Sequence, residues 1–185
     1  MRCRTRGSAS RARKRKRMPS GGNGNRPFWA IMLITIVLDR ITKLVAERSL
    51  GERVVSVIGD AVQFRLVHNQ GAAFGLDLGV WQRWIFLAIA VAAIVWLYLA
   101  ARQAVPGDHL RQFAVAFVAG GAAGNAIDRI LSARGVVDFI DIGAGTLRWP
   151  TFNVADIAVT CGAIALALSL WREDARRAAA SRAAA

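Results

Sequence analysis

The chain has 185 residues, of which 55% are hydrophobic, and its 25 Lys and Arg against 12 Asp and Glu give a net charge of +13. A mean hydropathy of +0.35 alongside so many charges requires apolar and basic residues to be segregated along the sequence. The two cysteines, Cys3 and Cys161, provide neither a disulfide framework nor a metal-ligand spacing, which excludes a disulfide scaffold and a cysteine metal site.

The N-terminal tail, residues 1–26, holds ten of the basic residues and no acidic one, so most of the net charge lies there. It is rich in Ser, Gly and Asn and lacks apolar periodicity, which predicts disorder. The basic run Arg11–Arg17 is compatible with nucleic-acid binding. Next to a hydrophobic segment, however, such a run is more simply explained by membrane orientation and contact with anionic lipid, so we predict no nucleic-acid partner.

Four apolar segments follow the tail, each close to the roughly 20 helical residues that cross a bilayer. They are Phe28–Val45, Trp81–Ala101, Phe113–Leu131 and Val154–Trp171. The first resembles a signal peptide, but no small-residue cleavage site follows it and apolar residues continue the helix. We therefore predict a mainly α integral membrane protein with four transmembrane helices, formed by a single domain at residues 27–172.

The connecting segments predict the orientation of these spans and a small sheet. Basic residues in the tail, in the 102–111 loop and in the C-terminal tail 173–185 fall on one side of the membrane, which predicts that both termini are cytoplasmic. In the first outer loop, apolar and polar residues alternate over Ala61–His68, the period of a half-buried strand. We expect a small extracytoplasmic β-sheet resting on the outer membrane surface.

Several ionisable side chains lie inside the predicted spans, where they are expensive and each suggests a functional role. At the helical rise, Asp128 lies about 24 Å along the third span and Asp156 about 22 Å before the end of the fourth. Both are therefore toward the outer edge of a hydrocarbon core about 30 Å thick. Asp39 and Lys43 fall in the same half of the first span, so three spans carry polar groups to one outer layer.

These groups also have purely structural interpretations, which the sequence leaves open. Asp39 and Lys43, at positions i and i+4, form a neutralised pair at a helix end in one interpretation and help to shape a site in the other. Asn125, Asp128 and Arg129 share one helix face, and a self-satisfied polar cluster that joins helices would explain them without any chemistry.

Two further features point to a pair of carboxylates. Asn153 and Asp156 have the spacing of an N-terminal capping box, and capping alone is one interpretation. Asp138 lies in the apolar stretch Val136–Ile140, where a carboxylate is poorly solvated, and a meeting with Asp156 would explain it. Two carboxylates in a low-dielectric site cannot both ionise cheaply, so one acts as general acid and the other activates water. We predict aspartyl-protease chemistry, with Asp156 as the more easily ionised member because it lies at a helix N-terminus.

Five sequence blocks, found in order between Phe28 and Trp171, resemble the bacterial lipoprotein signal peptidases, also called signal peptidase II. The blocks are Asp39–Lys43, His68–Gly75, Gly120–Arg129, Val136–Phe139 and Phe152–Asp156. Any one block is a weak signal, whereas five in order are specific. Arg40 departs from the family, in which Gln is common at this position, and we expect the change to affect local contacts only.

The resemblance implies a peptidase that removes signal peptides from prolipoproteins by cleaving before a cysteine that carries diacylglycerol, without a cofactor or a metal. It implies Asp138 and Asp156 as the catalytic pair. Supporting or substrate-binding residues are then Asp39, Lys43, Asn69, Gly71, Asn125, Asp128, Arg129 and Asn153. The implied location is the bacterial cytoplasmic (inner) membrane, with the active site near its extracytoplasmic face. Prolipoproteins and membrane lipids are the expected partners of a monomeric enzyme.

A small four-helix proton-coupled transporter is the alternative from another functional class, because a membrane carboxylate can bind and release a cation. Carriers usually place such a group near the midplane, often between inverted repeats, whereas these carboxylates lie near one face and the two halves show no repeat. A scaffold whose polar residues only join helices is a second alternative. It leaves Asp138 unexplained and predicts that Asp138→Asn is nearly silent.

Overall fold

A computed structural model describes residues 26–71, 79–102 and 108–184. Its helices are α1 (Arg26–Ser49), α2 (Gln82–Arg102), α3 (His109–Leu131) and α4 (Val154–Ala183), with a short 3-10 helix at Gly79–Trp81. Residues 1–25 of the predicted disordered tail and the Ala72–Gly75 part of the second sequence block lie outside the described residues, whereas Arg26 begins α1.

Three of these helices, α2, α3 and α4, are long and apolar enough to cross a membrane. The first helix does not meet the same criterion, because Asp39, Arg40 and Lys43 interrupt its apolar sequence. The structure thus supports three of the four predicted spans by length and composition, and the fourth stays a prediction. Helix α4 continues beyond Trp171 to Ala183, so the predicted C-terminal tail is largely helical.

Helix α3 is the centre of the bundle and packs against α1, α2 and α4. Its small residues Gly120 and Gly124, one turn apart, predict close approach of a neighbouring helix. That neighbour is α1: a Cβ atom at Gly120 would lie 2.7 Å from the Cβ of Thr35, and one at Gly124 would lie 2.6 Å from Oδ2 of Asp39. Because Gly120 and Gly124 have no side chains, α1 and α3 approach closely enough for their polar residues to be in contact.

The strands β1 (Val55–Ile58), β2 (Val62–Asn69), β3 (Val136–Ala144) and β4 (Leu147–Arg148) form an antiparallel sheet in that order. Strand β2 confirms the strand prediction, shifted by one residue. Strand β3 is a strand that the sequence did not predict, because its residues from Val136 to Phe139 are all buried and therefore show no alternation of apolar and polar residues.

The sheet is attached to the bundle by an apolar cluster at the C-terminal end of α1. Ala46 of α1 and Leu50, which directly follows α1, pack with Phe139 of β3, and Phe64 and Leu66 of β2 extend this cluster. In the register of the sheet, Val67 lies opposite Asp138. This docking places the first half of β3 against the helix ends that carry the buried polar residues.

Candidate active site

Asp138 is buried in β3, and two side-chain amides hold its carboxylate. Asn69, at the end of β2, donates from Nδ2 to Oδ2 of Asp138 at 3.0 Å. Asn153 donates from its own Nδ2 to Oδ1 of Asp138 at 2.6 Å. Asn69 lies opposite Val136, two residues from Asp138, so both side chains belong to one face of the sheet. Each carboxylate oxygen of Asp138 therefore has a neutral donor.

Asp156 lies in the first turn of α4, where it completes the predicted capping box. The Oδ1 atom of Asn153 accepts from the backbone N–H of Asp156 at 3.0 Å, and Oδ2 of Asp156 accepts from the N–H of Asn153 at 3.1 Å. The other carboxylate oxygen of Asp156 accepts from Nδ2 of Asn125 in α3 at 2.8 Å. The cap is thus confirmed, but the bond to Asn125 shows that Asp156 does more than close a helix end.

Asn153 joins the two aspartates. It is fully buried, and its side-chain nitrogen faces Asp138 while its side-chain oxygen caps α4 at Asp156. The same nitrogen lies 3.1 Å from Oδ1 of Asn125, so asparagines from α3 and from the start of α4 contact each other between the carboxylates. One residue therefore fixes the relative position of Asp138 and Asp156.

Burial raises the pKa of Asp138 to about 6, from the 3.8 of a free side chain. The hydrogen bond from Asn69 opposes this shift, and the nearby charge of Asp156 adds to it. The charge of Asp156 is therefore close enough to Asp138 to affect the protonation of Asp138.

The predicted pair of Asp39 and Lys43 belongs to a larger buried cluster. Nζ of Lys43 lies 2.8 Å from Oδ2 of Asp39 and 2.7 Å from Oδ2 of Asp128 in α3, and it donates to Oδ1 of Asn125 at 2.9 Å. The Oδ1 atom of Asp39 accepts from the backbone N–H of Ala155 in α4 at 2.9 Å. Lys43 and Asp39 thus join three helices, and they are not an isolated neutralised pair at a helix end.

Asp128 has partners that the sequence did not identify. Arg40 forms an ion pair with its Oδ1 atom, and the backbone N–H of Val137 donates to its Oδ2 atom at 3.2 Å. The departure at Arg40 therefore changes a contact within the site, because its guanidinium reaches Asp128 on a different helix. The polar residues of α3 do join helices, as one interpretation of the sequence had it, but the side chains of Asn125 and Asp128 bond to α1 and α4 and not to each other.

Arg129 and Gly71 lie beside the aspartates. Arg129 interacts electrostatically with Asp156 and Asp138, and its Nη1 donates to the carbonyl of Asn125 at 3.1 Å. The N–H of Gly71 donates to Oδ1 of Asn69 at 2.8 Å, which orients that amide so that its nitrogen faces Asp138. Gly71 has a φ of 103°, a left-handed conformation that favours glycine.

The structure therefore brings together the residues that the sequence predicted for the site. Hydrogen bonds or ion pairs link nine of them directly or through one another, and they are Asp39, Lys43, Asn69, Gly71, Asn125, Asp128, Asp138, Asn153 and Asp156. Arg129 joins them through the carbonyl of Asn125. Within the described ranges, no group of three or more His, Cys, Asp or Glu side chains is placed to hold a metal ion.

Comparison with known proteins points to one family. The family model described as signal peptidase (SPase) II matches residues 31–172. A lipoprotein signal peptidase of Burkholderia mallei (strain SAVP1) is 38% identical over 152 residues, which cover 80% of this chain and 89% of that protein. The corresponding protein of Paraburkholderia phytofirmans is 39% identical over 157 residues, covering 83% of this chain and 90% of its own length.

Two solved structures share the fold, and both are described as bacterial membrane enzyme structures determined by the in meso method. The first has a TM-score of 0.71 and 26% identity, covering 81% of this chain and 90% of its own. The second has a TM-score of 0.70 and 28% identity, covering 78% and 92%. Together with the apolar helices, these similarities identify a bacterial membrane protein, and the match over most of its length shows that the chain belongs to the signal peptidase II family.

Proposed function

We propose that this chain is an aspartic endopeptidase that removes signal peptides from diacylglyceryl-modified prolipoproteins, cleaving before the lipidated cysteine. Membership of the signal peptidase II family, whose relatives are named lipoprotein signal peptidases, supports the peptidase activity and the substrate class. The transporter alternative has no support, because every similarity reported above is to peptidases or membrane enzymes. The observation that carries the aspartic mechanism is that Asn153 holds both Asp138 and Asp156.

In the reactive form of the enzyme, Asp138 is the protonated member of the pair and Asp156 the ionised one. Asp138 is poorly solvated, and burial raises its pKa to about 6, so its protonated fraction near neutral pH is far larger than that of an ordinary carboxyl group. Asp156 lies at the N-terminus of α4 and accepts hydrogen bonds from Asn153 and Asn125, which stabilise a carboxylate. These unequal surroundings separate the acid from the base.

The reaction then needs only a water molecule and these two groups. Asp156 takes a proton from water while the water oxygen bonds to the scissile carbonyl carbon, and Asp138 gives its proton to the carbonyl oxygen. The resulting gem-diol is neutral. Asp156 next passes its proton to the amide nitrogen, the carbon–nitrogen bond breaks, and a gem-diol hydroxyl returns a proton to Asp138. One water is consumed, and both carboxyl groups end as they began.

The other polar residues hold this pair and neutralise its surroundings. Lys43 offsets the buried charges of Asp39 and Asp128, and through Asn125 it orients the amide that faces Asp156. Arg129, whose charge faces both aspartates, is placed to bind carbonyl oxygens of the substrate chain. Among the described residues, its Nε atom is buried and has no hydrogen-bond partner, so a donor is available for that purpose.

We further propose that α1 is the fourth span. Its charged residues Asp39 and Lys43 are fully buried in the bundle, whereas Leu33, Ile34 and Leu38 on its outer surface are 61%, 58% and 52% exposed. A helix that turns its charges inward and large apolar side chains outward suits a lipid environment. With four spans and cytoplasmic termini, the site lies at the extracytoplasmic face. The enzyme acts as a monomer surrounded by membrane lipids, with residues 27–172 as its peptidase domain.

The test is cleavage of a diacylglyceryl-modified lipoprotein precursor by purified protein in lipid. Asp138→Asn and Asp156→Asn should each lower kcat by a factor of about 10⁴ or more, because each removes a proton donor or acceptor from the reaction. The matched control is Asp60→Asn, an aspartate of the sheet that is 56% exposed and should be silent. Normal cleavage by a folded Asp138→Asn or Asp156→Asn protein would remove that residue from the chemistry.

A further inference from the structure

The N-terminal turns of α2 contact Arg129 at two different places. Nε of Arg83 donates to the backbone carbonyl of Arg129, and Nη2 of Arg83 donates to the carbonyl of Ile130 at 2.8 Å. One turn further along α2, the ring of Phe86 lies under the Arg129 guanidinium, with 5.4 Å between Cζ and the ring centroid. Arg83 therefore holds the backbone of Arg129, and Phe86 holds its charged end.

Both contacts have a clear physical basis. The carbonyls of Arg129 and Ile130 are in the last turn of α3, where they lack helical partners and carry the negative end of the helix dipole. A guanidinium donating to them satisfies two acceptors and neutralises that end. The face of a phenyl ring attracts a cation, most strongly where water is excluded.

Gly71 connects this arrangement to the aspartates. A Cβ atom on Gly71 would lie 2.6 Å from two ring carbons of Phe86, so only a glycine allows the chain to pass this close to the ring. The N–H of the same glycine orients Asn69, which donates to Asp138. Phe86 thus packs between the segment that holds Asp138 and the arginine that faces it.

A cavity of about 240 Å³ adjoins this side of Arg129. Its lining includes Gln70, Val80, Arg83, Trp84, Arg129 and Gly135. The position of the Arg129 guanidinium relative to this cavity and to the aspartates is set by residues of α2, although none of the sequence blocks of the family lies in α2.

We propose that Arg83 and Phe86 are positioning residues, which act on the reaction by holding the Arg129 guanidinium between the cavity and the two aspartates. The inference rests on the proposed function, in which Arg129 binds carbonyl oxygens of the substrate. Arg83 bonds to the backbone of Arg129 and Ile130, whereas Phe86 also packs on Gly71, which orients Asn69. Arg83→Met is therefore the cleaner test of an effect that passes through Arg129.

The first experiment is a double-mutant cycle on cleavage of a diacylglyceryl-modified precursor. Arg83→Met, which keeps a long side chain, and Phe86→Leu, which keeps apolar packing, should each lower kcat/KM about tenfold. In an Arg129→Lys background, the same two changes should lower it less than twofold. Equal losses from Arg83→Met in both backgrounds would overturn the proposal, because they would show an effect that does not pass through Arg129. Ile85→Ala, in the same turn and 40% exposed, is the matched control and should be silent.

The second experiment separates positioning from general destabilisation. The charged groups that face Asp138 are Lys43 of α1, Arg129 of α3 and Asp156 of α4. If the Arg129 charge moves away, ionised Asp138 loses part of its stabilisation, so the alkaline limb of the pH–rate profile should move to higher pH in Arg83→Met and in Phe86→Leu. A lower rate with an unmoved limb would indicate a merely structural role and overturn the proposal. Failure of the proposed aspartic mechanism would instead appear as cleavage by Asp138→Asn or Asp156→Asn. The positioning role of Arg83 and Phe86 and the aspartic mechanism are therefore contradicted by different results.

Discussion

Asp138 shows how a residue's surroundings decide its chemistry. Its carboxyl group is buried in β3, faces only neutral amide donors directly, and lies near the charge of Asp156. Burial is the largest cause of its raised pKa, and the donor Asn69 is the largest opposing one. The protonation of this one group therefore sets the pH range of the proposed reaction, and Asn69 adjusts it.

The pH dependence of cleavage tests this assignment. The reaction needs protonated Asp138, and burial raises the pKa of Asp138 to about 6, so kcat/KM should fall as pH rises above about 6. Asn69→Ala removes a donor that favours the ionised form of Asp138, so the pKa of Asp138 should rise further. The alkaline limb of the pH–rate profile should then move to higher pH by about one unit. Gln63→Ala, on the same strand but bonded to Asp60, is the control and should leave the limb in place. A limb that moves down in Asn69→Ala would contradict the assignment.

Individual site residues were predictable because carboxylates and amines inside apolar segments are expensive, which makes each of them conspicuous. Their partners were less predictable. The pairing of Arg40 with Asp128 depends on how α1 is rotated against α3, and periodicity within one helix does not contain that information. The partners of Arg83 were also not predictable, because they are backbone carbonyls, which every residue has and which no side-chain type in the sequence indicates.

At the scale of elements, the close approach of α1 and α3 positions the buried charges. Gly124 lies against the Asp39 carboxylate, and Gly120 lies against Thr35. The spacing of the glycines predicted such an approach but not which helix makes it. Strand β3 was not predicted for a related reason: its first residues are buried on both faces of the sheet and show no alternation of apolar and polar residues.

Gly124→Ala tests whether this packing is needed. At an open position in a helix, alanine stabilises by up to about 1 kcal/mol relative to glycine. Here the added Cβ would lie 2.6 Å from Oδ2 of Asp39, so we expect α1 to be displaced, a stability loss of about 1–3 kcal/mol and a fall in kcat. Thermal unfolding in detergent and precursor cleavage measure the two effects. An increase in stability would show that the two helices are further apart than described.

At the scale of the whole molecule, the sequence predicted the class of protein well, because a bilayer demands long apolar helices and leaves few other solutions. The family relationship and the mainly helical fold with a small sheet agree with that prediction. The orientation of the chain and the spanning role of α1 depend on the surrounding membrane and remain predictions from charge and exposure.

Cysteine accessibility in intact cells or oriented vesicles measures this topology. In a background with Cys3 and Cys161 replaced by serine, Ser181→Cys near the end of α4 should react only with reagent on the cytoplasmic side. Leu147→Cys, at an 83% exposed position of β4, should react only from the opposite side. Labelling of both positions from the same side would exclude a four-span arrangement with both termini cytoplasmic.

The capping asparagine also has a consequence for synthesis of the enzyme. Asn153 and Asp156 begin α4, the last helix of the bundle, whereas Asp138 precedes them in the chain by less than twenty residues. A nascent chain that has not yet inserted its final helix holds one aspartate without its partner and without the amide that orients both. In the proposed mechanism, hydrolytic competence therefore requires α4, and a chain that is terminated before Asn153 is expected to be an inert membrane protein rather than an unregulated protease.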